Sequence, residues 1–167
     1  MRKRIVCIFV FIACLFATFG CSVRKYNATF FDDAENLINA EFAEKNLIGN
    51  VYYPNGDEGE YIKTDDSYPK NRTFVIRDTE RLKEISVSNA EELKVDFNKQ
   101  MLIVYTYGAL NRRKSELSDI KKNGDILQIF FKSETKTGVG DTCMPYQRWI
   151  VVKLNKSDFN SVEFKQK

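Results

Sequence analysis

Histidine is absent from all 167 residues, and cysteine, proline and tryptophan are scarce at four, three and one. Without His there is no Ser-His-Asp or Cys-His catalysis, no His-ligated zinc and no HExxH metalloprotease mechanism. An excess of one charge is missing too. Lys and Arg number 26 against 23 Asp and Glu, and beyond the first twenty residues the count is 23 against 23. A neutral domain has no global field to gather nucleic acid, so nucleic-acid binding is not expected. Neither is a cofactor or a metal.

What is present begins with a targeting segment. Arg2-Lys3-Arg4 is a basic start, and Ile5 to Phe19 is a fifteen-residue run whose one polar member is Thr18. That is short of the ~20 apolar residues that cross a bilayer core of about 30 Å, but it fits the apolar part of a secretory signal. Thr18-Phe19-Gly20-Cys21 follows, then Ser22 and the charges of Arg24 and Lys25. This resembles a bacterial lipoprotein signal, in which a small residue precedes a cysteine that is acylated before cleavage. Cys21 is therefore the expected lipidation site, and the protein is expected to be lipid-anchored on the extracytoplasmic face of the cell membrane. Cys14 after Ala13, an ordinary signal peptide and an uncleaved signal anchor are the alternatives. Processing at Cys21 removes Cys7 and Cys14 and leaves Cys143 without a disulfide partner. The 147 remaining residues suffice for one core, since a chain near that size buries roughly 68–70% of its unfolded surface.

Along the mature chain, 21–31 reads as a tether and 32–73 as an N-terminal helix with a polar loop. Ala34, Leu37, Ile38 and Phe42 recur at helical spacing, and Asp32 with Glu35 has the spacing of a capping box. Residues 47–53 suggest a short strand. Residues 54–72 are polar and broken by Pro54, Asn55-Gly56, Gly59 and Pro69, which predicts a long loop. Its five acids lack the order of a calcium loop. The ordered core is expected from Phe74-Val75-Ile76, with Asp78 capping a helix through Ile85 and a second capping box at Ser88–Glu91. Met101 to Tyr107 is the most apolar strand of the mature chain and belongs in the middle of a sheet. Asn123-Gly124 predicts a type I′ hairpin between residues 116–122 and 125–132. Within the second arm, Leu127, Ile129 and Phe131 share one face. Tyr146 to Leu154 alternates, with Tyr146, Arg148, Ile150, Val152 and Leu154 on one side and Trp149 and Val151 on the other. A last strand spans about Phe159 to Phe164. The fold class is α+β, a mainly antiparallel sheet with two or three short helices.

Phe74 to Ile85, then Val95-Asp96-Phe97 entering Met101 to Tyr107, then a hairpin, then Pro145-Tyr146 leading into Trp149 to Leu154, resembles the C-terminal domain of the protease complex subunit PrcB family. The likeness covers about residues 74–164. In that family the central strand runs into a Thr-Gly-Gly-Tyr loop, whereas Tyr107 to Arg113 here retains Gly108 alone. The resemblance implies an exported or envelope-anchored protein that associates with a secreted protease.

The candidate chemistry favours binding over catalysis. Cys143, in Asp141-Thr142-Cys143, has no His to activate it and no predicted helix start beside it, and fits a small packed residue better than a nucleophile. Carboxylate pairs suited to glycoside hydrolysis sit in no motif. Asn27 and Asn71 head glycosylation sequons that a bacterial lipoprotein would leave unmodified. Arg112-Arg113-Lys114 follows the central strand, and Tyr105, Tyr107, Tyr146 and Trp149 lie on strands. Tyr, Trp and Arg anchor protein interfaces. Tyr107, Arg112, Arg113, Arg148 and Trp149 are thus the candidate partner-binding residues, on a surface made by 107–113 and 141–149. The expected function is a non-catalytic accessory module that binds a secreted protease or another envelope protein. Capture of a small solute is the alternative, and an enzyme using carboxylates comes last.

Overall fold

A computed structural model describes residues 26–49, 52–53, 60–61, 69–87, 93–110, 113–134 and 146–167. Nine strands and two short α-helices occur among them: β1 (Ala28–Phe31), α1 (Ala40–Lys45), β2 (Tyr52–Tyr53), β3 (Glu60–Tyr61), β4 (Asn71–Ile76), α2 (Thr79–Ile85), β5 (Gln100–Ala109), β6 (Ser115–Asn123), β7 (Ile126–Ser133), β8 (Tyr146–Asn155) and β9 (Ser161–Gln166). The first sheet runs β3-β2-β8-β5-β4, with β1 also paired to β8, and a second sheet runs β6-β7-β9. Pairing is antiparallel except at β2–β8 and β7–β9. As expected, antiparallel pairing dominates and the α-helices are few and short, but the strands form two sheets where one was expected.

β5 and β8 are covered on both faces, which is why each carries a nearly unbroken apolar run. Leu102, Val104, Trp149 and Val151 face a layer built from Ala34, Leu37, Ile38, Ala43, Ile85 and Leu93. Met101, Ile103, Tyr105, Ile150, Val152 and Leu154 face the second sheet, against Ile120, Leu127, Ile129 and Phe131. The alternation expected in β7 and β8 therefore holds, and β5 lies inside the sheet as expected. Aromatic rings tie the two sheets together: Tyr105 stacks on Phe164 with centroids 4.2 Å apart.

Several local expectations are corrected. The segment read as a tether contains β1, since Ala28 to Phe31 pair with Leu154 to Val151. The single helix expected from Asp32 is two pieces, a 3-10 turn at Ala34–Leu37 and then α1. Between them Ile38 bridges to Ser86, and the Asn39 N–H donates to the Ile85 carbonyl at 2.8 Å. Asn39 then caps α1, its side chain accepting from the N–H groups of Glu41 and Phe42. Apolar spacing fits either arrangement, but a short amide side chain competes with helical continuation and favours a cap. Asp32 caps nothing. The 3-10 turn instead starts after Asp33, which holds a left-handed φ of 50° and makes no side-chain cap.

The loop expected over 54–72 holds β3 and gives way to β4 at Asn71, three residues ahead of the expected core strand. Asp78 does cap α2, accepting from the Arg81 N–H at 2.8 Å. The hairpin is present, but its register pairs Asn123 with Ile126 and leaves Gly124-Asp125 as the loop. Gly124 has φ 57° while Asn123 and Asp125 stay negative. One positive φ at the first loop position is the sign pattern of a II′ turn, not I′. The last strand begins at Ser161, and Phe159 instead packs against the second cluster with Arg77 over its ring. The capping box at 88–91, Cys21 and Cys143 lie outside the described residues.

Candidate functional site

The β5–β8 register sets Tyr107 against Arg148, Gly108 against Gln147 and Ala109 against Tyr146. The chain therefore leaves β5 and enters β8 at one end of the sheet, so the described parts of 107–113 and 141–149 adjoin as expected. Residues 111–112 and 141–145, Arg112 among them, lie outside the described residues.

Two of the candidates are not surface residues. Trp149 is 1% exposed, its ring 6.2 Å from Phe42 on α1. Arg148 is 2% exposed and donates from Nη2 to Asp32 Oδ2 at 2.7 Å. Its Nη1 donates to the Arg113 main-chain carbonyl, and its Nε lies 3.9 Å from Asp33 Oδ1. A buried guanidinium must be paired, because its desolvation is costly. That requirement withdraws Arg148 from partner contact and gives it a task inside the fold. It joins β8 to the end of β1 and to the start of β6.

Asp32 completes the junction by accepting the Ser115 N–H at 2.7 Å through the same oxygen. Ser115 and Ser133 hydroxyls, 3.1 Å apart, close the far side across β6 and β7. Among the described residues, Asp32 Oδ1 and Arg148 Nε have no hydrogen-bond partner. Tyr107 borders the same junction half-buried. Burial pushes its phenol above the ordinary tyrosine range, while the Arg148 charge and hydrogen bonding with Ser115 pull it back. Asp32 is the residue sequence reading missed, having been assigned to a helix cap. Its signal was Arg148, a charge placed on the Ile150-Val152-Leu154 face, which needs an acid partner once that face is buried.

Next to this junction is a cleft of about 530 Å³, walled by β1, the 3-10 turn and the start of β6. Phe30, Phe31, Leu37 and Leu117 supply its apolar lining, and Asp32, Asp33, Lys114 and Glu116 its charges. On the other side of β8, Gln147 is buried and ties the end of α1 to the sheet, donating to the Asn46 carbonyl at 3.1 Å. What stays exposed at this end of the sheet is Leu110, at 57%, with Gly108 and Lys114, while Arg113 and Tyr146 are half-buried. Leu110 is the one large hydrophobic residue in that condition among the described residues.

Among the described residues no three His, Cys, Asp or Glu side chains are grouped to hold a metal, and no helix is long and apolar enough to cross a membrane. No protein-family model, curated protein or solved structure matches the chain.

Proposed function

We propose that this protein is a lipid-anchored, extracytoplasmic accessory module that binds a protein partner without catalysing a reaction on it. The observation that carries the reading is Leu110. It is exposed one residue beyond the Ala109–Tyr146 pair, on the segment that follows the central strand. Binding concentrates on segments carried by a rigid scaffold. The support here is a ten-pair ladder locked at this end by the Asp32–Arg148 ion pair. Arg113 and Lys114 beside it supply a basic rim suited to an acidic partner surface. The resemblance to the PrcB family makes a secreted protease the leading partner class.

The experiment is site-specific photo-crosslinking in intact cells, with the reactive group at position 110 or at exposed Lys122 on the β6–β7 hairpin. A discrete adduct with one envelope protein at 110, absent at 122, supports the proposal. Equal capture at both positions would overturn it. Labelled fatty acid should enter the wild type and not Cys21→Ala, which tests the anchor separately.

A further inference from the structure

We infer that the end of the first sheet where β1 begins faces the membrane, with its lysines against anionic headgroups, so that the Leu110 rim points outward. This rests on the lipid-anchor reading of Cys21. β1 runs antiparallel to β8, and Ala28 pairs with Leu154, which in turn pairs with Met101. The chain thus enters the fold where β8 ends and β5 starts. At that place the Lys156 N–H donates to the Lys99 carbonyl at 2.8 Å.

Reach excludes the inverted orientation. Seven residue steps separate Cys21 from Ala28, and fully extended they span at most about 25 Å. The β5–β8 ladder runs ten pairs, from Gln100–Asn155 to Ala109–Tyr146, a length of about 30 Å. Turning the domain over would set Ala28 about 30 Å above the headgroups, farther than the anchor extends. With Ala28 low, the Ala109–Tyr146 end stands clear of the bilayer.

Charge suits the same end. Lys94, Lys99 and Lys156 are exposed there, and Lys153 reaches the Lys94 carbonyl with its ammonium at 3.2 Å. Among the described residues at this end, Asp96, 3.9 Å from Lys99, and Asp158 stand against these four, a balance of +2. The neighbouring Arg77 and Asp78 cancel, as do Lys122 and Asp125. The chain beyond its first twenty residues is neutral and has no global pull toward a membrane, but a surface held within a Debye length of about 8 Å by the lipid does feel an anionic leaflet.

The test uses the acylated full-length protein in vesicles, on a Cys143→Ser background, with a fluorophore on Lys156→Cys or Leu110→Cys. The vesicles are phosphatidylcholine with spin-labelled quencher lipid, with or without phosphatidylglycerol. Quenching should be several-fold stronger at position 156 than at 110. Phosphatidylglycerol should deepen it at 156, and Lys99→Glu should abolish that increment. Equal quenching, or stronger quenching at 110, would overturn the orientation. Mass spectrometry of the N-terminal peptide separates the two failures: acyl chains with equal quenching defeat the orientation alone, whereas a peptide without acyl chains defeats the anchor reading and the orientation with it.

Discussion

Asp32 and Arg148 stand 116 positions apart in the chain and 2.7 Å apart in the fold, with the arginine side chain 2% exposed. The pair fastens the end of β1 to β8, and the second arm of Arg148 holds the Arg113 carbonyl at the base of the exposed rim. Breaking such a pair from one side leaves an uncompensated buried charge, whereas replacing both partners does not. Asp32→Leu should therefore cost about 3 kcal/mol of unfolding free energy. The double variant Asp32→Leu with Arg148→Met should lose clearly less than the sum of the two single variants. Urea titration of the four proteins measures this coupling, and strict additivity would mean that the pair is not formed.

Two phenols tie stability to alkaline pH. Burial raises both Tyr105 and Tyr107, opposed at Tyr105 by hydrogen bonding with Asn71 and at Tyr107 by the charge of Arg148. The folded state thus holds these protons more tightly than the unfolded chain. Their contribution is complete below the unfolded value of about 10 and is lost as pH climbs through the folded values. Wild-type stability should fall as pH rises above about 10. Tyr107→Phe should flatten that fall at a neutral-pH cost of about 1 kcal/mol. Parallel pH slopes for the two proteins would count against a buried phenol at 107.

The hairpin depends on one glycine. Gly124 sits at φ 57°, and a Cβ added there would meet nothing within 4 Å. The whole penalty of Gly124→Ala is thus backbone strain, about 1 kcal/mol. Gly124→Asn should cost about as much, because the first position of a II′ turn lies outside the left-handed basin that Asn tolerates. A thermal melt of the three proteins would show both variants shifted alike, and an unshifted Gly124→Ala would argue for a different turn.

At the rim, function and stability should separate. Leu110→Asp removes an exposed side chain and should leave unfolding free energy within about 0.5 kcal/mol of wild type. Capture of the crosslinked partner should drop by tenfold or more, as about 1.4 kcal/mol at an anchor position implies. Retained capture in a folded Leu110→Asp protein would move the contact surface elsewhere.

Sequence by itself determined the elements that rest on local rules. The nearly unbroken apolar run at Met101 to Tyr107 required a covered strand. The alternation in β7 assigned its buried face, Asp78 marked the start of α2, and Asn123-Gly124 marked a reversal. Each depends on residues adjacent in the chain, so the spacing is sufficient. The absence of histidine limited the chemistry in the same direct way. Tertiary structure alone decided that Asp32 serves Arg148 and not a helix start, because the partner lies 116 positions away. It also decided that Ala28 to Phe31 form a strand, since an edge strand is defined by the neighbour that pairs with it. Arg148 and Trp149 read as interface residues by type. They are interior because the second sheet covers one face of β8 and the helical layer covers the other, and no local pattern encodes which faces of a strand another layer will bury.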